Sequence, residues 1–166
     1  MSESHCFECG RNQVTKGERS LVLTEPYADP VTISFEGYEC DDCGAEFADD
    51  TSYESALAQG KRKLRKSALI NIVDDLVEMG YNVRTIEFAM QLPYRTISRW
   101  KNDPSINPSA AKLAMMRYLR TYPWLIKVGQ EKYNPHAVKE TLLQAAQVII
   151  SEELEGLDQQ SQVEGE

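Results

Sequence analysis

The arrangement of the four cysteines constrains this chain more than any other feature. Cys6 and Cys9 form one Cys-x-x-Cys pair, Cys40 and Cys43 form another, and 30 residues separate the two pairs. Each pair lets two sulfurs approach one ion from a tight turn, and two pairs complete the four-sulfur tetrahedron of structural zinc sites. A glycine follows each pair, where the turn needs a positive φ. The pattern predicts an N-terminal zinc ribbon that holds one structural Zn²⁺ per chain.

Other roles for these thiols fit less well. Two disulfides would require an oxidising compartment, but the N-terminus lacks the charged and apolar segments of a secretory signal. A redox Cys-x-x-Cys site needs a βαβ context, and a catalytic zinc keeps a position open that four cysteines would fill. His5 is a rival ligand, although we favour a bystander role for it. No apolar run is long enough to span a membrane, so we expect a cytoplasmic protein.

The net charge of −8 over 166 residues is the sum of three unlike segments. Residues 1–60 carry 3 Lys and Arg against 13 Asp and Glu, whereas residues 61–127 carry 13 against 5. Residues 128–166 carry 2 against 8. Such asymmetry is typical of modules with different partners. The basic middle segment suits nucleic acid, which the acidic N-terminal segment would repel.

The order of motifs predicts a small β-rich zinc ribbon (α+β) followed by an all-α helix-turn-helix domain with a C-terminal helix. Strands are expected at 20–23 and 31–35, and a helix near residue 52, where Thr51 and Glu54 fit a capping box. The predicted boundaries are a zinc ribbon at 1–48, a linker helix at 49–62, a helix-turn-helix domain at 63–128, a C-terminal helix at 129–155 and a disordered tail at 156–166.

Within the basic segment, residues 82–101 predict a helix, a sharp turn and a second helix. The residues expected to face inward are Ile86, Ala89, Met90, Ile97 and Trp100, and Leu92 is expected to fill the turn. Pro93 is expected at the first position of the second helix, where its missing N–H costs nothing. Glu87 and Gln91 stand where a small Ala and a Gly are usual, so Glu87 is expected to point away from tight packing. The outer face then carries Tyr94, Arg95, Thr96, Ser98, Arg99 and Lys101. This face is typical of a helix that contacts bases in the major groove.

The sequence contains three further patterns. The first and the last each have two interpretations, and the second predicts core residues. The basic run Lys61, Arg62, Lys63, Arg65 and Lys66 is either a solvated helix start or a set of phosphate contacts. Helical spacing predicts core stripes of Leu69, Ile72, Val73, Leu76 and Met79, ended by Gly80, and of Leu113, Met116, Tyr118 and Leu119. A last stripe, Val138, Leu142, Leu143, Ala146, Ile149 and Ile150, packs either within the chain or against a second copy.

Over about residues 4–127 the assembled pattern resembles the MqsA/YgiT-type family of zinc-ribbon plus helix-turn-helix antitoxins and transcriptional regulators. The resemblance rests on the two cysteine pairs, the linker helix, an XRE-like helix-turn-helix, and the runs Asn107-Pro108-Ser109-Ala110-Ala111-Lys112-Leu113 and Tyr122-Pro123-Trp124-Leu125-Ile126. It implies a protein of bacterial or phage origin, with a zinc-bound N-terminal domain that can hold a basic RNase toxin and a C-terminal domain that dimerises and binds a palindromic operator. By position in the motif, Arg95, Ser98 and Arg99 would contact the DNA bases.

These observations favour a DNA-binding repressor of the type II antitoxin kind. It would bind a double-stranded operator as a homodimer and neutralise a small basic toxin through its ribbon. Two alternatives remain: a repressor with the same DNA chemistry and no toxin, and a protein-interaction adaptor whose acidic ribbon is the binding surface. An enzyme is the weakest interpretation, because the sequence offers no nucleophile with a base, no phosphate-binding loop and no open metal site. Its two histidines, His5 and His136, lie in separate modules.

Overall fold

The computed structural model describes the backbone of residues 5–163 and the side chains of residues 5–151. Contacts divide this part of the chain into two compact units. The first unit comprises residues 5–71 and 107–113, and the second comprises residues 72–106 and 114–163. Among the helices of residues 5–163, none has both the length and the hydropathy that crossing a membrane requires.

The first unit contains a three-stranded antiparallel sheet in the order β1-β2-β3. The strands are β1 (Val14–Leu23), β2 (Val31–Cys40) and β3 (Glu46–Ala48). The expected strands at 20–23 and 31–35 are confirmed, but the hairpin is longer, because pairing continues from Leu23 opposite Val31 to Val14 opposite Cys40. The third strand was not predicted, since three residues after the second cysteine pair carry too short a pattern to detect.

A single helix, α1 (Asp50–Glu78), follows the sheet and is 29 residues long. It passes without a break through residue 62, where the sequence places the end of a linker helix. It also begins earlier than the expected start near residue 52. The Ser52 N–H donates to the Asp49 carboxylate over 2.9 Å, so Asp49, rather than Thr51, caps the helix.

Gly60 lies inside α1, where it allows the helix to approach the β-hairpin closely. A Cβ atom at this position would lie 2.6 Å from both Leu23 Cδ1 and Ile33 Cγ2. Further along the helix, the Ser67 hydroxyl donates to the Asp29 carboxylate over 2.7 Å. The sheet therefore forms one layer of this unit, and the first part of α1 packs against it as a second layer.

Within the described residues, five more helices follow α1: α2 (Val83–Ala89), α3 (Thr96–Asn102), α4 (Ala110–Thr121), α5 (Leu125–Gln130) and α6 (Pro135–Val163). Gly80 ends α1 at a φ of +94°, as predicted. The Asn82 side chain caps α2 by accepting the Thr85 N–H over 2.8 Å. α6 continues to Val163, beyond the predicted end at residue 155, so most of the segment expected as a disordered tail is helical. Residues 164–166 of that segment lie outside the described residues.

The core of the second unit consists largely of the predicted residues: Ile72, Val73, Leu76, Ile86, Ala89, Met90, Ile97, Trp100, Met116 and Leu119 are all buried. Met79 and Tyr118 were expected there but are 43% and 62% exposed. Met79 lies beside the glycine that ends α1. Tyr118 lies two residues after Met116, which places it about 200° around α4 from that buried side chain.

Close contacts and ion pairs hold the helices of the second unit together. A Cβ atom on Gly129 would lie 2.6 Å from the Ala89 carbonyl oxygen, so α5 crosses α2 at this point. Two carboxylates at the end of α1 bind cations on later helices. Asp74 pairs with the Lys101 ammonium, and Asp75 accepts the Arg120 Nε–H over 2.6 Å.

Candidate metal centre and nucleic-acid interface

The four cysteine sulfurs, which belong to two separate turns, converge on one point. All four Sγ atoms lie within 4.8 Å of one another, with Cys6 and Cys43 3.5 Å apart and Cys9 and Cys40 3.6 Å apart. Sulfurs around a tetrahedral zinc with bonds of about 2.3 Å are separated by about 3.8 Å. The cluster therefore has the size and the donor chemistry to hold a metal ion such as zinc.

The two cysteine turns have the same backbone geometry. In each, the N–H of the first cysteine donates to a carbonyl five residues later, and the N–H of the following glycine donates to the carbonyl of that cysteine. The bonds are Cys6 to Arg11 (2.8 Å) and Gly10 to Cys6 (2.8 Å) in one turn, and Cys40 to Ala45 (2.9 Å) and Gly44 to Cys40 (2.8 Å) in the other. The glycines have φ values of +73° and +71°, as the sequence predicted. The first cysteine of each pair is buried and the second is exposed.

The proximity of the sulfurs perturbs their protonation. The Cys9 N–H donates to the Cys6 sulfur, favours the thiolate and lowers the pKa of Cys6 to about 7. The Ala45 N–H has the same effect on Cys43, but the neighbouring Cys6 and Cys40 sulfurs outweigh it and raise the pKa of Cys43 to about 12. Four adjacent thiolates repel one another, so their full ionisation requires a cation among them.

An aromatic cluster, which the sequence analysis did not identify, lies beside the cysteines. Phe7, between the first two cysteines, is 79% exposed and meets Phe47 edge-on at 5.5 Å between ring centroids. Phe47 in turn stacks on Tyr38 at 5.5 Å. The His5 ring lies 5.6 Å from Phe7, and His5 is not a member of the metal-ligand group found among the described residues. Phe7 is distant in the sequence from Tyr38 and Phe47, and the three rings meet only when the ribbon folds.

The six residues predicted to face DNA have different surroundings in the structure. Ile97 and Trp100 are buried, as predicted, and they direct the other face of α3 outward. Tyr94, Arg95, Ser98, Arg99 and Lys101 are exposed, and Thr96 is half-buried. The Thr96 hydroxyl donates to the Pro93 carbonyl over 2.6 Å. The Lys101 ammonium pairs with Asp74, which partly neutralises the charge expected to face phosphate.

The turn between α2 and α3 is longer than predicted, because α3 begins later in the sequence. Gln91 has a φ of +53°, so it adopts the left-handed conformation where a glycine is usual. α3 begins at Thr96 and not at Pro93, which instead starts a turn closed by the Thr96 N–H. Arg95 precedes the helix with a φ of +63°.

Glu87 has a structural role that contradicts the prediction. Its side chain was expected to avoid tight packing, but the residue is only 4% exposed. Its carboxylate accepts the Ile97 N–H over 2.8 Å and the Arg95 N–H over 3.2 Å. The first N–H groups of a helix lack partners within the helix and carry a partial positive charge, which a carboxylate satisfies. A signal was present in the sequence: an acidic residue at an inward position, shortly before a helix with no capping side chain.

The exposed part of α3 borders a shallow depression of about 480 Å³, lined by Arg95, Ser98, Arg99, Asn102, Asp103 and Pro104. The Arg95 guanidinium lies 5.2 Å from the centroid of the Tyr94 ring, which it can contact as a cation. Among the described residues, no carboxylate forms an ion pair with the Arg99 guanidinium. This face of α3 therefore offers an unneutralised arginine and hydrogen-bonding side chains to a ligand.

The basic run on α1 belongs to the first unit, whereas α3 belongs to the second. Lys61, Arg62 and Lys63 are exposed, and Arg65 and Lys66 are half-buried. Within the described part of the chain, no ion pair neutralises Lys61, Arg62, Lys63 or Arg65. The run is thus a solvated helix surface with the charge that phosphate contacts would need.

We compared the chain with models of protein families, with curated proteins and with solved structures, and none of the three comparisons found a match.

Proposed function

We propose that this protein is a DNA-binding transcriptional repressor of the type II antitoxin kind, with α2 and α3 acting as a helix-turn-helix. The observation that carries the proposal is the division of α3 into two faces. Ile97 and Trp100 are buried, and the opposite face presents Arg95, Ser98 and Arg99. Arginine is the most frequent specific donor to guanine in the major groove, and serine can contact bases or phosphate.

The position of Glu87 supports this proposal. From Pro93 to Asn102 the sequence has no acidic residue, and the carboxylate nearest to this helix points inward. α3 itself therefore contributes no carboxylate to its outer face, and the nearby acidic side chains are Asp74, which pairs with Lys101, and Asp103 at the edge of the depression. The basic run on α1 supplies further cations, which would act as sequence-independent phosphate contacts.

The metal in this proposal is a structural zinc held by Cys6, Cys9, Cys40 and Cys43. The four donors leave no open position, so the ion would stabilise the ribbon and take part in no reaction. This assignment rests on the equivalent geometry of the two turns and on the close approach of the four sulfurs.

The ribbon would also bind a small basic protein, such as the toxin of a toxin–antitoxin pair. Its strong negative charge favours a basic partner, and the exposed Phe7 ring beside the cysteines offers an apolar contact. Exposed aromatic rings are enriched at protein interfaces. The same two features support the alternative of an adaptor that uses only its ribbon, which predicts no salt-dependent DNA binding.

A gel-shift titration with the DNA upstream of the gene for this protein tests the proposed function. We expect tight binding to this DNA, weaker binding to unrelated DNA, and a steep loss of affinity as salt rises. Replacing one base-contacting arginine, Arg99→Ala, should weaken specific binding by about 10- to 100-fold, which corresponds to about 1–3 kcal/mol.

The control variant is Lys127→Ala, which removes a positive charge from an exposed position on α5. We expect it to leave specific binding within about twofold of the original protein. Equal losses in the two variants would show that only net charge matters, which would contradict the assignment of α3. No DNA binding at low salt would favour the adaptor.

A further inference from the structure

The outer face of α6 is the largest run of exposed apolar side chains on one helix in the described part of the chain. Leu142, Leu143, Ile149 and Ile150 are 48%, 56%, 54% and 58% exposed. At about 100° per residue, these four positions and Ala146 lie within an arc of about 120°. We call these five residues the outer α6 face.

The outer α6 face differs from the side of the helix that packs on its own unit. Thr141, on the inward side, is 5% exposed. Gln144, also on that side, accepts a hydrogen bond from the Lys127 ammonium of α5 over 3.0 Å. The inward side of α6 therefore packs on its own unit, and the outer α6 face is a separate, apolar surface.

The described residues after Ala146 have no packing that would explain why they are helical. All of residues 147–151 are exposed, although three of them are Val or Ile. Isolated helical segments of this kind are marginal in water, and most helical stability in proteins comes from packing of an apolar face. A partner on the outer α6 face would supply that packing.

The order of side chains on this face is symmetric about Ala146. Leu142 and Ile150 are each four residues from it, and Leu143 and Ile149 are each three residues from it. A twofold axis at Ala146 would place Leu142 opposite Ile150 of a second helix, and Leu143 opposite Ile149. The two alanines would meet where the helices are closest. This large–small–large pattern is self-complementary, as a twofold interface between identical chains requires.

We propose that the outer α6 face binds the same face of a second copy of this chain, with the two α6 helices antiparallel about an axis near Ala146. The five side chains expose roughly 400 Å² of apolar surface, at the scale of the largest patches on monomers. A stable interface buries about 800 Å² on each side, of which about 65% is apolar in homodimers. The face thus provides most of the apolar area, and polar flanks of the helix supply the rest. The proposal does not depend on DNA binding.

Sedimentation equilibrium of the full chain over a wide concentration range tests the interface. We expect a mass of twice the 18.8 kDa of one chain. In Ile149→Glu, the twofold axis would bury two unpaired carboxylates, so the dimer dissociation constant should rise at least about a hundredfold. Circular dichroism of this variant should keep most of the signal of the folded chain, with a loss limited to the end of α6, because the change is at an exposed site of each protomer.

The matched control is Val148→Glu. Val148 is 56% exposed, against 54% for the neighbouring Ile149, but it lies outside the arc of the outer face. This variant should keep the dimer mass. A monomer at every concentration in the original protein, or a dimer that Ile149→Glu leaves intact, would overturn the proposal.

Engineered cysteines test the antiparallel register. With an added oxidant, Ala146→Cys should form a disulfide between two copies, because the axis places position 146 opposite itself. Leu142→Cys alone should crosslink poorly, but it should form mixed dimers with Ile150→Cys. The original protein treated with the same oxidant is the control for its own four cysteines. Efficient crosslinking of Leu142→Cys to itself would indicate parallel helices and contradict the proposed arrangement.

Discussion

At the scale of single residues, the buried Glu87 carboxylate positions the exposed face of α3, although its own side chain is not exposed there. Its two oxygens accept the N–H groups of Arg95 and Ile97, the first of which belongs to a left-handed residue. These bonds hold the turn that leads into α3. The side chains of Arg95 and Ser98 are thereby presented by a backbone that is fixed from the inside.

Replacing this carboxylate, Glu87→Ala, should destabilise the protein by about 2 kcal/mol, because it leaves a buried N–H without an acceptor. Glu87→Gln should have a smaller effect, since its single carbonyl oxygen can accept one of the two N–H groups. Chemical denaturation measures both changes. Glu78→Gln is the control: Glu78 is exposed, and this change should stay within about 0.5 kcal/mol of the original stability. Equal stability of Glu87→Ala and the control would contradict the capping role.

At the scale of secondary-structure elements, α1 combines two structural roles that the predicted boundary at residue 62 assigns to separate elements. Its first part packs on the β-hairpin through Gly60, and its last turns contribute Ile72, Val73 and Leu76 to the second core. A glycine normally weakens a helix interior by about 1 kcal/mol relative to alanine. Here the missing side chain allows the helix and the strands to approach, and this contact offsets the weaker helix propensity.

A larger side chain at this position tests that interpretation. Gly60→Leu should destabilise the first unit by about 1–3 kcal/mol, although leucine favours helices, because Leu23 and Ile33 occupy the space of the new side chain. Ala58→Leu adds the same residue to an exposed site of the same helix and should change stability little. Thermal unfolding compares the two variants. A gain of stability in Gly60→Leu would show that the helix and the hairpin are not in close contact.

At the scale of the whole molecule, the chain has two units with separate cores, and its charge changes sign along the sequence rather than between these units. The acidic segment up to residue 60 contains the cysteine cluster, and the basic segment that follows contains α2 and α3. The small sheet leaves few residues buried: in β1 to β3 only Ile33, Gly37 and Cys40 are classed as buried. Such a sheet has too little core to be stable alone, so a metal would contribute most of its stability.

Removing the metal should therefore unfold the ribbon of residues 5–48 and spare the second unit. We expect a strong chelator to increase amide hydrogen exchange across residues 5–48 and to leave α2, α3 and α5 protected, because structural zinc contributes on the order of 10 kcal/mol. The chelator already saturated with zinc is the control. Unchanged exchange in residues 5–48, or an absence of metal in protein purified without chelators, would contradict a zinc ribbon.

Acidification should act in the same direction. In the folded ribbon the pKa of Cys6 is lowered to about 7, so its thiolate contributes stability above its ordinary pKa, and this contribution is lost as the pH falls through about 7. Protons also compete with the metal for all four sulfurs. Metal retained after dialysis, measured between about pH 8 and pH 5, should fall with decreasing pH.

Local patterns in the chain were enough to predict the features that depend on residues a few positions apart. The cysteine pairs with their glycines, the end of α1 at Gly80 and the buried stripes through Ile97 and Trp100 all follow from local spacing. Turn geometry and helical periodicity act over three to five residues, so these patterns are visible in the chain.

The tertiary structure was needed to establish the features that depend on packing between distant segments. It turned Glu87 inward to cap α3, placed Gly60 against the hairpin and paired Lys101 with Asp74. It also left the outer α6 face exposed, although its apolar stripe is like that of a buried helix. A local pattern specifies which face of a helix is apolar, whereas the surrounding chain decides what, if anything, covers it.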